Sequence, residues 1–278
     1  MTTIININLI MNSLFTDYFI DYLEQDNLNF FIQIGFIMFD IVTFISLLFL
    51  KAEYGRHNNR SEKWLIVSDT FAWIFQEFPT LAISMFYTLN YFLYSEKINY
   101  IKFIFISFYN LHYIHRTLIY PFKLSSKSKK MPIDIVIMAF TFNIFNATMI
   151  NRSIFLFSEY NSKIFFSRSF YFGSLLYFLG MFINLYHDYY ILNEKKKRNG
   201  NYFIPKSFLF NYISCPNYLG EIIEWIGFAI ASQNSCAFLF AISTFSNLFP
   251  RALTHNEWYR AKFKEYPNNI KAIIPYLI

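Results

Sequence analysis

The stretch SCPNYLGEIIEWIGFAIASQ, residues 214–233, reads for most of its length as an apolar helix able to cross a membrane. Asn217, Glu221 and Glu224 interrupt it at steps of four and three, which puts all three on one helical face. An ionisable side chain at the centre of a bilayer costs at least about 2.5 kcal/mol. Two carboxylates and an amide on one face of such a helix therefore turn inward, to a polar partner or a ligand, rather than to lipid.

The flanking sequence supports the membrane setting. Of 278 residues, 55% are hydrophobic and only 15% charged, and the apolar residues form long runs rather than amphipathic stripes. A spanning helix needs about 20 mostly apolar residues. Seven segments qualify, roughly 29–50, 64–93, 100–120, 132–157, 165–191, 217–233 and 236–252. Lys and Arg alternate between the connecting loops. Residues 1–30 carry none, 51–63 carry four, 121–131 carry four, 191–216 carry five and the tail from 250 carries five, whereas the intervening loops carry two and three. The positive-inside rule then sets the N-terminus in the lumen and the C-terminus in the cytosol. The expectation is an all-α polytopic membrane protein. A lumenal segment spans residues 1–28, and a single seven-helix domain spans 29–278, its part 131–278 taking a cofactor.

The net charge of +6 is absorbed by this loop pattern, so no nucleic-acid partner is expected. No basic leader with a cleavage site opens the chain, so the first helix is expected to insert uncleaved. Cys215 and Cys236 fall at opposite ends of the sixth segment, too far apart for a disulfide. His112 and His115 lack a matching ligand pair nearby in sequence, and no metal site is expected. Glycine-rich nucleotide loops and hydrolase elbows are absent.

Further polar groups lie in or at the edges of the apolar segments. Asp40 is suited to hydrogen-bond a neighbouring helix. WIFQEFPT, 73–80, carries Trp73, Gln76 and Glu77 ahead of Pro79, a helix-kinking residue. Tyr109, Tyr113, Arg116 and Tyr120 share one helical face at steps of four, three and four. Asn184 and Asp188 lie one turn apart before the basic run 195–198, a mouth suited to phosphates. Arg251, His255 and Tyr259 repeat at steps of four, a face suited to a cofactor with phosphates and a flat ring. A cavity open to the cytosol would gather most of these residues. It would admit an anionic cofactor from the water and a lipid-like substrate from the side.

WIFQEFPT, LHYIHRTLIYP, NLYHD, NYLGEIIEWIGFAIAS and the closing RAL, HNEWY, KFKEYP and KAIIPYLI resemble, in this order, the steroid 5-alpha-reductase family. The resemblance runs from YGRH, 54–57, to the last residue. It implies a multi-pass enzyme of the endoplasmic reticulum membrane that uses NADPH to reduce the 4,5 double bond of a 3-oxo-Δ4 steroid or a sterol-like lipid. It implies Glu77 and Tyr113 at the substrate carbonyl, and Tyr54 and Trp73 in the steroid pocket. It implies Arg116, Asn184, Asp188, Tyr202, Asn217, Glu221, Arg251, His255 and Tyr259 around the cofactor. Asn201, Phe203 and Glu257 depart from the family pattern. The chemistry fits: hydride delivered to the β carbon of an enone leaves negative charge on the carbonyl oxygen, and a tyrosine with a neutral carboxylic acid can donate to it. Trans-2-enoyl-CoA and polyprenol reductases share the superfamily and form the alternative enzymes. A transporter or receptor using its intramembrane charges for an ion path or ligand switch is the non-enzyme alternative. Membrane lipids are expected partners, and no obligate protein partner is evident.

Overall fold

The computed structural model describes residues 27–49, 65–124 and 131–278, without the side chains of residues 27 and 28. The segment 1–26, the basic loop holding Tyr54, and Lys127, Lys129 and Lys130 lie outside the described residues. Helices occupy all seven segments expected from the apolar runs. They are α1 (Asn27–Phe49), α2 (Asp69–Tyr94), α3 (Tyr100–Ile114), α5 (Ile133–Arg152), α6 (Arg168–Lys197), α7 (Pro216–Ser232) and α8 (Ser235–Lys262). A π-turn, His115–Ile119, joins α3 to a short α4 (Tyr120–Lys123). Two-residue strands β1 (Ile66–Val67) and β2 (Met131–Pro132) pair antiparallel and clasp the start of α2 to the start of α5.

Local signals set the helix starts. Ser68, Asn99, Ser167 and Asn234 are N-caps whose side-chain oxygens accept the N–H of Phe71, Ile101, Phe170 and Ala237. The sixth and seventh segments part at Gln233, which adopts a left-handed conformation at φ 51°. Two helices outrun the apolar segments. α6 continues to Lys197 and α8 passes through Pro250 to Lys262. Hydropathy marks where a membrane ends, whereas hydrogen bonding and caps mark where a helix ends. Arg251, His255 and Tyr259 stand on this polar extension of α8.

Polar side chains lie among the aromatic residues of the interior, and large apolar ones cover the outside. Gln33, Thr80, Asn143, Asn146, His187 and Glu224 are buried, while Phe31, Met38, Phe78, Met85, Leu175 and Phe182 are exposed. An apolar surface of that extent is stable against lipid tails and not against water. Four helices, Asn29–Phe49, Ile133–Phe157, Arg168–Lys197 and Ser235–Lys262, are by length and composition able to cross a membrane among the described residues. Asp40 is buried on α1 and accepts a hydrogen bond from Ser243 on α8, the interhelical bond its position suggested.

α6 and α7 make the closest helix contact, and glycines permit it. Gly173 and Gly180 on α6 meet Gly227 and Gly220 on α7, in antiparallel order. A Cβ on Gly180 would lie 2.3 Å from the Glu224 amide nitrogen, and one on Gly220 2.4 Å from that of Asn184. Small residues at a seam of this kind let two backbones touch in an environment where lipid is as apolar as the core. The seam sets the register that brings Asn184 and Asp188 of α6 over Asn217 and Glu221 of α7.

Gly220→Ala is therefore expected to destabilise the fold by about 1–3 kcal/mol through overpacking. Gly35→Ala on α1, where nothing lies within 4 Å of an added Cβ, serves as control and should be neutral or better. Thermal unfolding of the detergent-solubilised variants reads the difference. Equal midpoints for the two variants would remove the glycine seam from the account.

Candidate active site

A cavity of about 270 Å³ opens between α2, α4, α6, α7 and α8. Trp73, Arg116, Asp188, Tyr202, Asn217, Arg251, His255 and Tyr259 line it, together with Asp69, Tyr120, Lys195 and Tyr218. Eight residues that the family resemblance implies for the site thus converge from six stretches of the chain. Asn184 and Glu221 stand immediately behind this wall.

Arg116 organises the wall. Its Nη1 donates to Asp188 Oδ2 at 3.2 Å and its Nη2 to Glu221 Oε2 at 3.4 Å. Its guanidinium lies over the rings of Trp73 and Tyr120, 4.8 and 5.2 Å from their centres. Asn217 Nδ2 donates to Asp188 Oδ1 at 2.8 Å. Asn184 Nδ2 donates to the Asn217 carbonyl at 3.0 Å and to Glu221 Oε2 at 3.2 Å. One cation and two amides thereby satisfy two carboxylates that would otherwise be untenable in a low-dielectric interior. Pro121 brings no N–H to the helix, and the turn before it widens to π bonding, with Tyr120 N donating to His115 O. Arg116 sits within that widened turn.

Glu224 takes a different partner. It is fully buried, and its Oε1 lies 2.9 Å from His112 Nδ1. His112 on α3 and Arg116 in the π-turn are one turn apart and meet Glu224 and Glu221 of α7, whereas Asn217 pairs with Asp188 of α6. His115 instead meets the Tyr189 hydroxyl at 2.7 Å, so the two histidines face different neighbours.

The opposite wall comes from the extension of α8, with Tyr202 and Tyr218 beside it. Tyr218 hydroxyl lies 3.0 Å from His255 Nε2, Tyr202 packs edge-on to Trp258 at 4.8 Å, and Lys195 Nζ sits 5.0 Å from the Tyr202 ring centre. Of the basic run, Lys197 and Arg198 pair with Glu194 at 2.7 and 2.9 Å, whereas Lys195 lines the cavity. The tail is pinned below this wall. Ser214 N and Cys215 N donate to the carbonyls of Lys271 and Ala272 at 2.8 and 3.1 Å, and Arg260 reaches the Ile270 carbonyl at 2.9 Å. Burial pushes the Tyr266 hydroxyl up to about 12, partly offset by its 2.7 Å bond to Ser214 Oγ, so it stays protonated at neutral pH. The contacts of Ser214 with the tail do not follow from local sequence, because the partners lie more than forty positions apart.

Glu77 and Tyr113 do not line the cavity. They lie one turn further in, Glu77 beyond Trp73 on α2 and Tyr113 before Arg116 on α3. Glu77 is within electrostatic range of both Arg116 and Tyr113. Glu77 Oε2 accepts from Asn143 at 3.1 Å and its Oε1 from Gln76 at 3.3 Å. The Tyr113 hydroxyl accepts from Asn146 at 3.1 Å. Asn143 and Asn146 were not singled out from the sequence. Two amides three apart in an otherwise apolar helix are the signal that marks them.

The fold and site together define an all-α, multi-pass membrane protein with a buried ionic network behind a water-facing pocket. A sequence profile of the 3-oxo-5-alpha-steroid 4-dehydrogenase family matches residues 129–278. A steroid 5-alpha-reductase of Solanum lycopersicum is 36% identical over 257 residues, covering 91% of this chain and 98% of the relative. One from Arabidopsis thaliana is 39% identical over 242 residues, 84% of this chain and 91% of the relative. 3-oxo-5-alpha-steroid 4-dehydrogenase 1 of Bos taurus is 33% identical over 239 residues, 86% of this chain and 92% of the relative. The chain belongs to the 3-oxo-5-alpha-steroid 4-dehydrogenase family, a family of oxidoreductases.

Proposed function

We propose that this protein reduces the 4,5 double bond of a 3-oxo-Δ4 steroid with NADPH, in the endoplasmic reticulum membrane, with seven spans and a cytosolic C-terminus. The observation that carries the cofactor half is that Arg116, Asp188 and Asn217 face Arg251, His255 and Tyr259 across one cavity. The donor set fits such a group. Arg251 and Lys195 are suited to phosphate, Asp188 and Asn217 to ribose hydroxyls and a carboxamide, and Tyr202 and Trp73 to flat rings. Lys195 lines the cavity, which makes it the candidate for the 2′-phosphate. The cavity is at the small end for a ligand pocket, so a dinucleotide would extend beyond it.

A bound reduced nicotinamide supplies the hydride. The chain's own residues bind the substrate and polarise its carbonyl, and the enolate left by hydride addition is completed by a proton at the α carbon. Tyr113 and Glu77 donate hydrogen bonds to the substrate's 3-oxo group, where charge builds as the β carbon is reduced. The apolar outer surface lets a lipid-soluble substrate approach from the bilayer, and the inner position of Glu77 and Tyr113 keeps the carbonyl out of bulk water.

Membranes containing the protein, supplied with NADPH, should saturate testosterone, progesterone or campest-4-en-3-one, followed by mass spectrometry. Lys195→Ala should raise the KM for NADPH about tenfold, the loss of one charge-assisted phosphate contact, and leave that for NADH nearly unchanged. Turnover of only a trans-2-enoyl-CoA or a polyprenol would overturn the substrate and leave the cofactor wall standing. Consumption of no NADPH with any of these substrates would favour a transport or receptor role.

A further inference from the structure

Helix α5 carries none of the motifs that mark this family in the sequence, yet it reaches both proposed substrate donors. Asn143 and Asn146 lie one turn apart on its buried face, 4% and 0% exposed. Asn143 Nδ2 donates to the Gln76 carbonyl at 2.7 Å and to Glu77 Oε2 at 3.1 Å. It thus holds both the backbone of α2, three residues before Pro79, and the carboxyl itself. Asn146 Nδ2 donates to the hydroxyl oxygens of Tyr109 at 3.3 Å and Tyr113 at 3.1 Å. The two hydroxyls thus share one amide nitrogen, and their ring centres lie 4.6 Å apart.

Counting donors gives the consequence. The two tyrosines own two O–H groups. The amide N–H groups occupy a lone pair on each oxygen. An O–H on either oxygen is thereby turned away from the amide nitrogen. The Asn146 Oδ1, which could otherwise capture that proton, is buried and has no hydrogen-bond partner among the described residues. An amide here costs desolvation that an apolar residue would not, so two of them on one face call for a reason beyond packing.

We propose that Asn143 and Asn146 are positioning residues. Asn146 forces the Tyr109–Tyr113 pair to present one hydroxyl hydrogen to the substrate's carbonyl oxygen, and Asn143 holds Glu77 beside it. This rests on the reductase reading above and deepens it. Tyr109 becomes part of the donor rather than a packing residue. The substrate half of the site is then set by α5, while the cofactor half is set by α6, α7 and α8.

A double-mutant cycle in membranes tests this. Wild type, Asn146→Leu, Tyr113→Phe and the double variant are compared for kcat and KM with a 3-oxo-Δ4 steroid at saturating NADPH. NADPH affinity is followed separately by fluorescence. Asn146→Leu should lower kcat about 10- to 100-fold, the size expected for a misaligned donor. NADPH affinity should be held, and in the Tyr113→Phe background the same change should cost less than about twofold, the usual limit of additivity error. An undiminished loss in that background would mean that Asn146 acts through packing, and would overturn the proposal. If Asn146→Leu fails to accumulate as folded protein, Asn146→Ser is set against Asn146→Ala. Higher kcat for Ser, which keeps a donor, supports the assignment, and equal values overturn it. A wild type that reduces no steroid would overturn the reductase reading itself, an outcome distinct from a non-coupled cycle in an active enzyme.

Discussion

Arg116→Leu is expected to abolish NADPH binding and steroid reduction, and to destabilise the protein by about 3–5 kcal/mol. The size follows from what the substitution leaves behind. Asp188 and Glu221 both lean on this guanidinium, at 3.2 and 3.4 Å, and both are largely shielded from water. Without it, two carboxylates share one pocket with only the amides of Asn184 and Asn217 to satisfy them. The pair must then take up protons or move apart, and either outcome dismantles the wall of the cavity. The stacking of Arg116 on Trp73 and Tyr120 is lost as well. Arg116→Lys should fall between, because an ammonium can serve one carboxylate but neither forks between two nor stacks as a plane. Thermal unfolding in detergent and NADPH titration measure the two losses. Retention of wild-type NADPH affinity by Arg116→Leu would reduce this network to a structural brace.

Tyr113→Phe is expected to lower kcat by about 10²- to 10³-fold, the usual result of removing one donor from a developing oxyanion. The substitution deletes one oxygen and keeps the ring, so the contacts with His112 and Trp225, at 5.2 and 5.9 Å between ring centres, survive. NADPH affinity should hold, because Tyr113 lies outside the cavity that Arg116 and Asp188 line. A fall in kcat/KM carried by KM alone would instead assign Tyr113 to substrate binding without a role in the chemical step.

The residues around the cavity were legible in the sequence because they violate their surroundings. A carboxylate or a guanidinium in an apolar run is rare enough to be noticed, and steps of three and four name the face it occupies. Asn217, Glu221 and Arg116 were found in this way. Their mutual partners were not, since no periodicity says that Asp188 and Glu221 will share one arginine. The asparagines of α5 were passed over for the opposite reason. An amide carries no charge and offends an apolar run less, so TFNIFNATMIN reads as ordinary membrane sequence until Asn143 and Asn146 are seen against Glu77 and Tyr113. The glycine seam escaped too, although Gly173 with Gly180 and Gly220 with Gly227 each repeat at seven residues, two helical turns. A lone pair of glycines has many meanings, and only the facing pair on the next helix decides among them. The extension of α8 was legible from the four-residue steps of Arg251, His255 and Tyr259 and not from hydropathy, which is blind to helix beyond the membrane.

The polar interior has a calorimetric consequence. For a water-soluble domain, the large heat capacity of unfolding comes from apolar surface newly exposed to water. Here the outer face already meets an apolar medium in the folded state. Helices that separate within a bilayer would exchange a core of aromatic rings, with asparagines, histidines and carboxylates among them, for hydrocarbon, with little change in wetted apolar area. The stability curve in lipid should therefore be nearly straight with temperature, without a low-temperature limb, and set by enthalpy from hydrogen bonds and ion pairs. Detergents that let water into the bundle would restore the curvature, and would do so first where Arg116 and its carboxylates lie closest to the open end.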